Sequence, residues 1–361
     1  MTVGDNPLLH LSIRRYIPYY IGSFCFTKGA GVPGLSSYHS FHLSSCCESL
    51  IAFENVEQLR SALNNASRYY LLGEGSNTLF IEDFVGTVLV NKIKGISSTT
   101  TETAVYLQVG AGENWHQLVT YALQNGYHGM ENLALIPGSV GACPIQNIGA
   151  YGIEVADFIE SVECVNLATF ETQYLSHGEC QFGYRDSIFK HSLAGKVVIT
   201  QVNFKLPRNY TPVTTYGELA ALHNPGPQAI YNEVIRVRQK KLPDPAVLGN
   251  AGSFFKNPII GLEQYQLLLN THPELPAYKV DDESMKVPAA WLIDQLGFKG
   301  KTLGGVRCHP TQPLVLTNLG NACGKEVLQM AQQIISAVEQ HFGIELEPEV
   351  RLIAKHGLIT L

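Results

Sequence analysis

The 361-residue chain is long enough for more than one domain, each with its own hydrophobic core. Hydrophobic residues make up 45% of the chain and charged residues 16%, which excludes a wholly disordered protein because burial of this apolar surface offsets the conformational entropy lost on folding. The formal net charge of −6 makes phosphate backbones unfavourable partners, so we expect no nucleic-acid binding.

The hydropathy pattern and the cysteines favour a cytoplasmic protein. No segment approaches the roughly 18 consecutive apolar residues of a membrane span, and the run over 16–26 is interrupted by Pro18 and Gly22. The eight cysteines contain no C-x-x-C pair, so the spacing of structural zinc sites is absent and we expect no metal. We therefore expect reduced, mostly buried thiols and no membrane partner.

From the N-terminus, residues 1–35 contain glycine, proline and serine without a stable period, which predicts a poorly ordered extension. Periodicity then becomes regular. The predicted elements of the first half are a helix over 54–67, strands at 69–72, 87–90 and 105–109, and a helix that begins near 113.

The second half mixes strands and helices in the same way. The composition turns to proline, threonine and tyrosine over 209–227, which indicates a domain boundary. The predicted elements are several strands over 158–206, among them 159–165 and 196–206, helices over 285–297 and 324–342, and a strand-like stretch over 344–353. Because strict βαβα alternation is missing, the pattern favours an α+β fold over a doubly wound sheet.

Two glycine patterns resemble phosphate-binding motifs but lack their context. Residues 29–34 match G-x-G-x-x-G, yet Pro33 lies inside the motif and a serine-rich stretch follows it. Residues 300–302 resemble the end of a P-loop, but Gln295 stands where the first glycine belongs. We interpret both segments as turns.

Two other glycine-rich segments are better candidates for a ligand site. Residues 73–77, Gly-Glu-Gly-Ser-Asn, directly follow a β-like run, and the backbone N–H groups of such a turn can converge on an anion. Residues 137–152 are rich in glycine and proline, interleaved with apolar residues and with Gln146 and Asn147, which suits a fixed backbone against a flat ligand. Purely structural turns remain an alternative for both segments.

Three further segments carry side chains suited to chemistry. Arg185 lies among aromatic residues, where its guanidinium can bind a carboxylate, or it forms an ordinary surface pair with Asp186. Ser253 lies between small residues and an aromatic pair, as a proton donor or as a turn residue. Glu347 and Glu349 share one face of an extended stretch, which is otherwise a solvated edge strand.

Together and in this order, these segments resemble the UDP-N-acetylenolpyruvoylglucosamine reductase family, flavoenzymes of bacterial peptidoglycan precursor synthesis. The resemblance extends from about residue 36 to about residue 353. It is carried by long ordered blocks at 72–80, 110–115, 131–152, 182–190, 241–258, 291–295 and 346–353.

The resemblance implies an α+β fold with a PCMH-like FAD-binding region of the vanillyl-alcohol-oxidase type and a separate α+β substrate-binding domain. We place the FAD-binding region at 36–207, with two subdomains split near 90–100, and the substrate-binding domain at 208–342. Residues 343–361 are then a C-terminal strand segment that returns toward the FAD site. We expect a monomer.

The family resemblance also implies residues that hold non-covalent FAD. The amides of one loop hold the FAD pyrophosphate, and a second segment lines the flavin ring. The first comprises Gly73, Glu74, Gly75, Ser76 and Asn77, and the second comprises Pro137, Gly138, Ser139, Val140, Gly141, Asn147, Gly149, Ala150, Tyr151 and Gly152.

The reaction implied by the resemblance uses NADPH as co-substrate to reduce FAD. Flavin N5 then delivers hydride to C3 of the enolpyruvyl group of UDP-N-acetylglucosamine enolpyruvate, and Ser253 protonates C2. Arg185 and a protonated Glu349 stabilise the enol-like intermediate. The implied substrate contacts are Tyr184, Tyr216, Lys241, Asn257 and Gln312; Tyr216 belongs to a loop that closes over the diphosphate and marks the longer type of the family.

Two other functions remain compatible with this fold. An oxidase would pass electrons from the flavin to oxygen, but nothing in that reaction needs a serine acid. A catalytically silent sugar-nucleotide-binding regulator would need none of Arg185, Ser253 and Glu349. The combination of these three side chains favours the reductase.

Overall fold

The computed structural model describes residues 31–361. Residues 1–30, which include most of the predicted extension and the first residues of the G-x-G-x-x-G match, lie outside the described residues. Leu35 is fully buried and its N–H donates to the Ser45 carbonyl at 2.8 Å, so the folded chain already includes the last residue of the predicted extension. No helix in the described part combines the length and the apolar character needed to cross a membrane.

The first subdomain is a small parallel sheet with one helix. The helix begins after Asn55, whose side chain accepts a hydrogen bond from the Gln58 N–H, and this cap fixes its start. The sheet has the order β1-β4-β2, and both pairs are parallel. The elements are β1 (Cys47–Phe53), α1 (Val56–Asn64), β2 (Tyr69–Leu72), β3 (Thr78–Phe80) and β4 (Phe84–Asn91).

The second subdomain is a five-stranded antiparallel sheet, in the order β10-β9-β11-β6-β5, with a helix packed on it. Trp115 opens that helix and is 1% exposed; its indole N–H donates to the Leu133 carbonyl at 2.9 Å, which satisfies its one polar atom inside the core. The elements are β5 (Ile96–Thr100), β6 (Ala104–Gly110), α2 (Trp115–Gln124), β7 (Gly149–Ala150), β8 (Ile153–Glu154), β9 (Ile159–Asn166), β10 (Thr172–Ser176) and β11 (Val197–Pro207).

The rest of the chain adds helices around two small antiparallel sheets, of order β12-β18-β17-β16 and β13-β15-β14. The elements are α3 (Pro227–Lys241), β12 (Asn250–Ser253), β13 (Ile259–Gly261), α4 (Leu262–Thr271), β14 (Tyr278–Lys279), β15 (Ser284–Lys286), α5 (Ala289–Gln295), β16 (Thr302–Leu303), β17 (Val306–Cys308), β18 (Val315–Asn318) and α6 (Gly324–Phe342). Short 3₁₀ turns occupy Glu131–Leu133, Val140–Ala142, Val155–Phe158, Ile188–Lys190 and Gly217–Ala221.

Two large hydrophobic cores underlie these regions. The first joins the second subdomain to α3, whose Ile230 and Val234 are fully buried in it. The second joins residues 251–352 to Leu79 and Ile81 of the first subdomain. Helix α3 follows the boundary predicted at 208, yet its apolar face is buried against the second subdomain; beyond it, the next residue of the second core is Ala251.

The predicted helices and strands agree with the structure where the hydrophobic period is long. They differ from it where a proline interrupts the pattern or the period is weak. The helix predicted over 324–342 coincides with α6. The helix predicted over 285–297 is shorter, because Pro288 disfavours helical backbone before it; Ser284–Lys286 forms β15 and α5 begins at Ala289. Helices α3 and α4 were missed, and α4 buries none of its residues.

The C-terminal segment returns to the first subdomain. Strands β19 (Arg351–Ala354) and β20 (Gly357–Ile359) form a hairpin, and β19 pairs in parallel with β3. Arg351 is paired with Thr78 and its N–H donates to the Asn77 carbonyl at 2.9 Å. The segment that carries Glu349 therefore lies beside the loop over 73–77.

Helix α6 is held against the first subdomain at its first residue. A Cβ on Gly324 would overlap the Ile81 carbonyl, which is backbone and cannot move aside easily. We predict that Gly324→Ala lowers the free energy of unfolding by about 2 kcal/mol, through overpacking. Urea unfolding followed by far-ultraviolet circular dichroism measures this change. Gly178→Ala is the matched control, because a Cβ there meets no atom within 4 Å; equal stability of the two variants would contradict the packing argument.

Candidate active site

The loop over 73–77 packs tightly against the segment that begins at Pro137. A Cβ on Gly73 would overlap the Ser139 hydroxyl, and the Ser76 hydroxyl donates to the Pro137 carbonyl at 3.1 Å. Gly75 has φ +69°, and a Cβ there would overlap the Tyr38 carbonyl, so only glycine fits this turn without strain. The two glycine-rich segments singled out in the sequence therefore form one structure.

The Glu74 carboxylate connects this loop to the second subdomain. The Asn114 side-chain amide donates to both Glu74 carboxylate oxygens, at 3.1 and 2.8 Å. The Asn114 side-chain oxygen in turn caps helix α2 by accepting from the Gln117 N–H at 2.9 Å. Burial raises the pKa of Glu74. Glu74 therefore fixes the loop to the start of α2.

A cleft runs between the two subdomains beside these loops. It comprises two adjoining cavities of about 220 and 110 Å³, and Gly73, Ser139 and Arg351 line both. Its walls combine apolar side chains with backbone amides of glycine-rich loops, as expected for a cofactor site. The Nε atom of Arg351 is buried and has no hydrogen-bond partner within residues 31–361, so an acceptor on a bound ligand would satisfy it.

These features fit FAD. A dinucleotide offers anionic oxygens for the amides of the 73–77 loop and carbonyl or phosphate acceptors for Arg351. The Ser139 hydroxyl fills the space beside Gly73 and the Ser76 hydroxyl fills the space beside Gly138, so the two loops pack closely at both points. Residues Gly73, Gly75 and Ser139 would hold the cofactor by their backbone.

The segment over 137–152 is stabilised mainly by its own side chains and backbone. Val140 is fully buried in the first core, and Asn147 is 1% exposed. The Asn147 amide donates to Glu154 at 2.6 Å and to the Gly183 carbonyl at 3.0 Å, and its oxygen accepts from the Ala156 N–H at 3.1 Å. Asn147 therefore supports the segment, and its side chain is not available to a ligand.

Arg185 lies where this segment meets the C-terminal strand. Its guanidinium donates to the Gly149 carbonyl at 2.7 Å and to the Asn147 carbonyl at 3.4 Å. Its Nε lies 3.4 Å from the Glu349 carboxylate, and the two side chains are 20% and 15% exposed. The guanidinium is thus partly shielded from water, which strengthens its attraction for a carboxylate.

Glu349 is a buried carboxyl in a cationic environment. Burial raises its pKa, and the positive charges of Arg185, Lys190 and Lys256 oppose that rise. Burial prevails, so the pKa lies above the ordinary value for a glutamate. Glu349 can therefore hold a proton closer to neutral pH than an exposed carboxyl does, and can donate a hydrogen bond in that state.

Ser253 ends strand β12 beside the Glu349 segment. The following residue, Phe254, accepts a hydrogen bond at its carbonyl from the Glu349 N–H at 2.8 Å, and Phe255 pairs with Pro348. Ser253 itself pairs with Val315 of β18 and is half-buried. The fold therefore brings the segments of all three predicted catalytic residues together.

The predicted substrate residues fall into two groups, one near Ser253 and one farther from it. Tyr184 lies near Asn257, whose side-chain oxygen accepts from the Ala289 N–H at 3.0 Å. Gln312 precedes β18, the strand that pairs with Ser253. Lys241 lies farther out, where its ammonium pairs with Glu218 at 2.7 Å.

Tyr216 is 48% exposed at the edge of the site. It lies against Gly152, where an added Cβ would be 3.6 Å from the Tyr216 Cβ. The Asn132 amide donates to the Tyr151 and Val213 carbonyls, both at 2.8 Å, and so fastens the segment before Tyr216 to the glycine-rich one. An exposed tyrosine on a segment anchored in this way can cover a ligand in the site.

Sequence reasoning missed Asn114 and Arg351. Arg351 had a usable signal: it follows Glu349 by two residues in an extended stretch, so the two side chains share a face. Asn114 offered only an N-cap signal, because its contact with Glu74 joins residues 40 positions apart.

Family models match two parts of the chain. An FAD binding domain matches residues 48–172, and the C-terminal domain of UDP-N-acetylenolpyruvoylglucosamine reductase matches residues 244–353. The FAD-domain match covers the loops that form the cleft, and the second match covers Ser253 and Glu349. Both agree with the division into a FAD-binding region and a further domain.

Similar proteins cover nearly the whole chain. A UDP-N-acetylenolpyruvoylglucosamine reductase of Pseudoalteromonas atlantica is 50% identical over 329 residues, covering 91% of this chain and 95% of that protein. One of Escherichia coli O157:H7 is 46% identical over 332 residues, covering 90% and 97%. The crystal structure of the enzyme from Thermus caldophilus is 26% identical, with a TM-score of 0.62, over 89% of this chain and 97% of that one.

The predicted fold class is therefore confirmed: an α+β protein with a PCMH-like FAD-binding region and a separate C-terminal domain. The prediction of a FAD-binding oxidoreductase is confirmed with it. With 50% identity over 329 aligned residues to a relative that it covers to 95%, the chain belongs to the UDP-N-acetylenolpyruvoylglucosamine reductase family.

Proposed function

We propose that this protein reduces UDP-N-acetylglucosamine enolpyruvate to UDP-N-acetylmuramate with NADPH as co-substrate and non-covalent FAD as cofactor. The observation that carries the proposal is the contact between Arg185 and Glu349 at 3.4 Å, with the Ser253 strand bonded to the Glu349 segment. These are a cation, a protonatable carboxyl and a hydroxyl, which is the set that an enolpyruvyl reduction needs.

Arg185 and Glu349 bind the carboxylate of the enolpyruvyl group. When bound, FAD would take a hydride from NADPH and supply it to C3 of this group. Negative charge then grows at C2 and spreads into the carboxylate, where the guanidinium and the protonated Glu349 stabilise it. Because both groups are already held in place by Gly149, Asn147 and Phe254, little reorganisation accompanies the charge.

Ser253 then donates its hydroxyl proton to C2. A serine is a weak acid, but an enolate carbon is a strong base, so the transfer is favourable at hydrogen-bond distance. Ser253 is half-buried, and Phe254 and Phe255 beside it are each 1% exposed, which limits the access of water as a competing acid. The serine therefore determines where the proton is delivered.

The remaining predicted residues bind the sugar nucleotide. Tyr216 would cover the diphosphate, and Lys241 would exchange Glu218 for a phosphate oxygen. Tyr184, Asn257 and Gln312 lie around the Ser253 strand and would contact the substrate nearer the reacting group. Together they extend the site from the enolpyruvyl group toward the diphosphate.

The cellular role follows from the reaction. The product is a precursor of peptidoglycan, so the protein would serve cell-wall synthesis and, through it, cell shape and division. Five cysteines, Cys47, Cys143, Cys164, Cys180 and Cys308, are buried thiols, as expected in the reducing cytoplasm. We expect the protein to act there as a monomer.

A spectroscopic titration tests the proposed function directly. We expect the purified protein to show a flavin spectrum that NADPH bleaches without oxygen and that returns on addition of the enolpyruvyl sugar nucleotide. UDP-N-acetylglucosamine, which lacks the enolpyruvyl group, is the control and should not restore it. Restoration by oxygen alone at the same rate would indicate an oxidase, and a protein without flavin that binds the nucleotide would indicate a regulator.

The Ser253→Ala variant separates the two half-reactions. We expect reduction of FAD by NADPH to be retained, because it needs no proton from Ser253, and product formation to fall by roughly 100-fold or more. Stopped-flow absorbance measures the first step, and chromatography of the product measures the second. Ser61→Ala, on the exposed face of α1, is the control. An equal loss in both half-reactions would contradict the role of Ser253.

The Gly75→Ala variant tests the loop that we assign to the FAD pyrophosphate. Its Cβ would overlap the Tyr38 carbonyl and displace the loop, so we expect the Kd for FAD to rise about tenfold or more. Gly126→Ala is the matched control, because Gly126 also has a positive φ, +74°, but an added Cβ meets nothing within 4 Å. Fluorescence titration of apoprotein with FAD measures both; equal affinities would refute the assignment.

A further inference from the structure

Lys190 has no part in the proposed chemistry, yet its ammonium contacts Arg185, which does take part. It ends the short 3₁₀ turn Ile188–Lys190, and its Nζ donates to the Arg185 carbonyl at 2.6 Å. A lysine that is mostly buried gives up hydration, so the contact must repay that cost. Burial lowers the pKa of Lys190, in agreement with a largely desolvated ammonium.

The backbone at Arg185 needs such support. Arg185 has φ +54°, in the left-handed region that residues with a Cβ rarely adopt. The loop around it is closed by paired hydrogen bonds between Gly183 and Asp186, and the Ser187 hydroxyl donates to the Ile145 carbonyl at 2.6 Å. The Lys190 ammonium adds a charge-assisted bond at the carbonyl of Arg185 itself.

Lys190 also belongs to the group of charges around Glu349. The groups that act on Glu349 are Arg185, Lys190, Lys256, Glu347 and Tyr184. Lys256 is paired with Glu347 at 2.5 Å, so its charge is largely compensated. Asp186, which contacts His191 at 2.7 Å, also acts on Lys190. Lys190 therefore adds its positive charge to that of Arg185 beside Glu349.

We propose that Lys190 is a positioning residue: it holds the strained backbone of Arg185 through the carbonyl and adds positive charge beside the Arg185–Glu349 pair. The first effect places the guanidinium against Gly149, Asn147 and Glu349. The second opposes the rise that burial causes in the pKa of Glu349. This inference rests on the proposed function for its kinetic consequence, but its electrostatic consequence is independent of substrate.

Lys190→Met tests the electrostatic effect in the full-length holoenzyme. Loss of the positive charge destabilises ionised Glu349, so its titration midpoint should rise by about one pH unit. Carbon-13 NMR of glutamate-labelled protein follows the carboxyl, and Glu349→Gln assigns its resonance. Lys190→Arg should restore most of the wild-type midpoint. An unchanged midpoint in Lys190→Met would overturn the proposed charge effect.

The same variant tests the positioning effect by kinetics. We expect the second half-reaction to slow by about tenfold or more, because the Arg185 backbone loses its charge-assisted bond, and flavin reduction by NADPH to be retained. The alkaline limb of the pH–rate profile should move to higher pH together with the Glu349 midpoint. Lys299→Met, a half-exposed lysine paired with Asp294, is the matched control. An unchanged rate in Lys190→Met would refute positioning.

Two further measurements keep the outcomes distinct. If Lys190→Met does not fold, as judged by circular dichroism, Lys190→Gln provides a polar replacement without charge and should shift the same midpoint. If the wild-type protein does not reduce the enolpyruvyl sugar nucleotide, the proposed function fails, while the NMR titration still decides the role of Lys190.

Discussion

The site depends on the burial of one carboxyl beside one guanidinium. Glu349 and Arg185 belong to different parts of the chain, and they meet at 3.4 Å only because the C-terminal strand returns to pair with β3. Burial raises the pKa of Glu349, and the neighbouring cations oppose that rise. The balance between these two effects suits a carboxyl that would stabilise negative charge as it develops on a bound carboxylate.

The glycine-rich loops provide the second constraint. At Gly75 the backbone comes so close to the Tyr38 carbonyl that a side chain would push the two apart, and at Gly73 and Gly138 a serine hydroxyl fills the space that a side chain would need. This close packing leaves the cleft lined with amides, and Glu74 and Asn114 fix its position relative to helix α2. A cofactor held mainly by backbone needs such rigid support, because amides cannot adjust their position independently.

Comparison of sequence and structure shows which signals were reliable. The long apolar period of α6 and the β-like runs of β2 and β6 were sufficient to place these elements. Helix α3 was missed because the polar, proline-rich sequence around it resembles a linker. Its burial becomes evident only in the fold, where the second subdomain covers Ile230 and Val234. The cofactor contact of Asn147 stays a prediction; in the structure its side chain bonds to Glu154, Gly183 and Ala156.

By itself the sequence determined the family, the α+β class and the residue types that carry the chemistry, because ordered motifs and hydrophobic periods are local properties of the chain. Only the tertiary structure decided how those residues act on one another. The contact of Arg185 with Glu349, the unsatisfied Nε of Arg351 and the bond from Lys190 to the Arg185 carbonyl depend on packing and burial. The physical reason is that hydrogen bonding and desolvation depend on distances in space, which spacing along the chain does not specify.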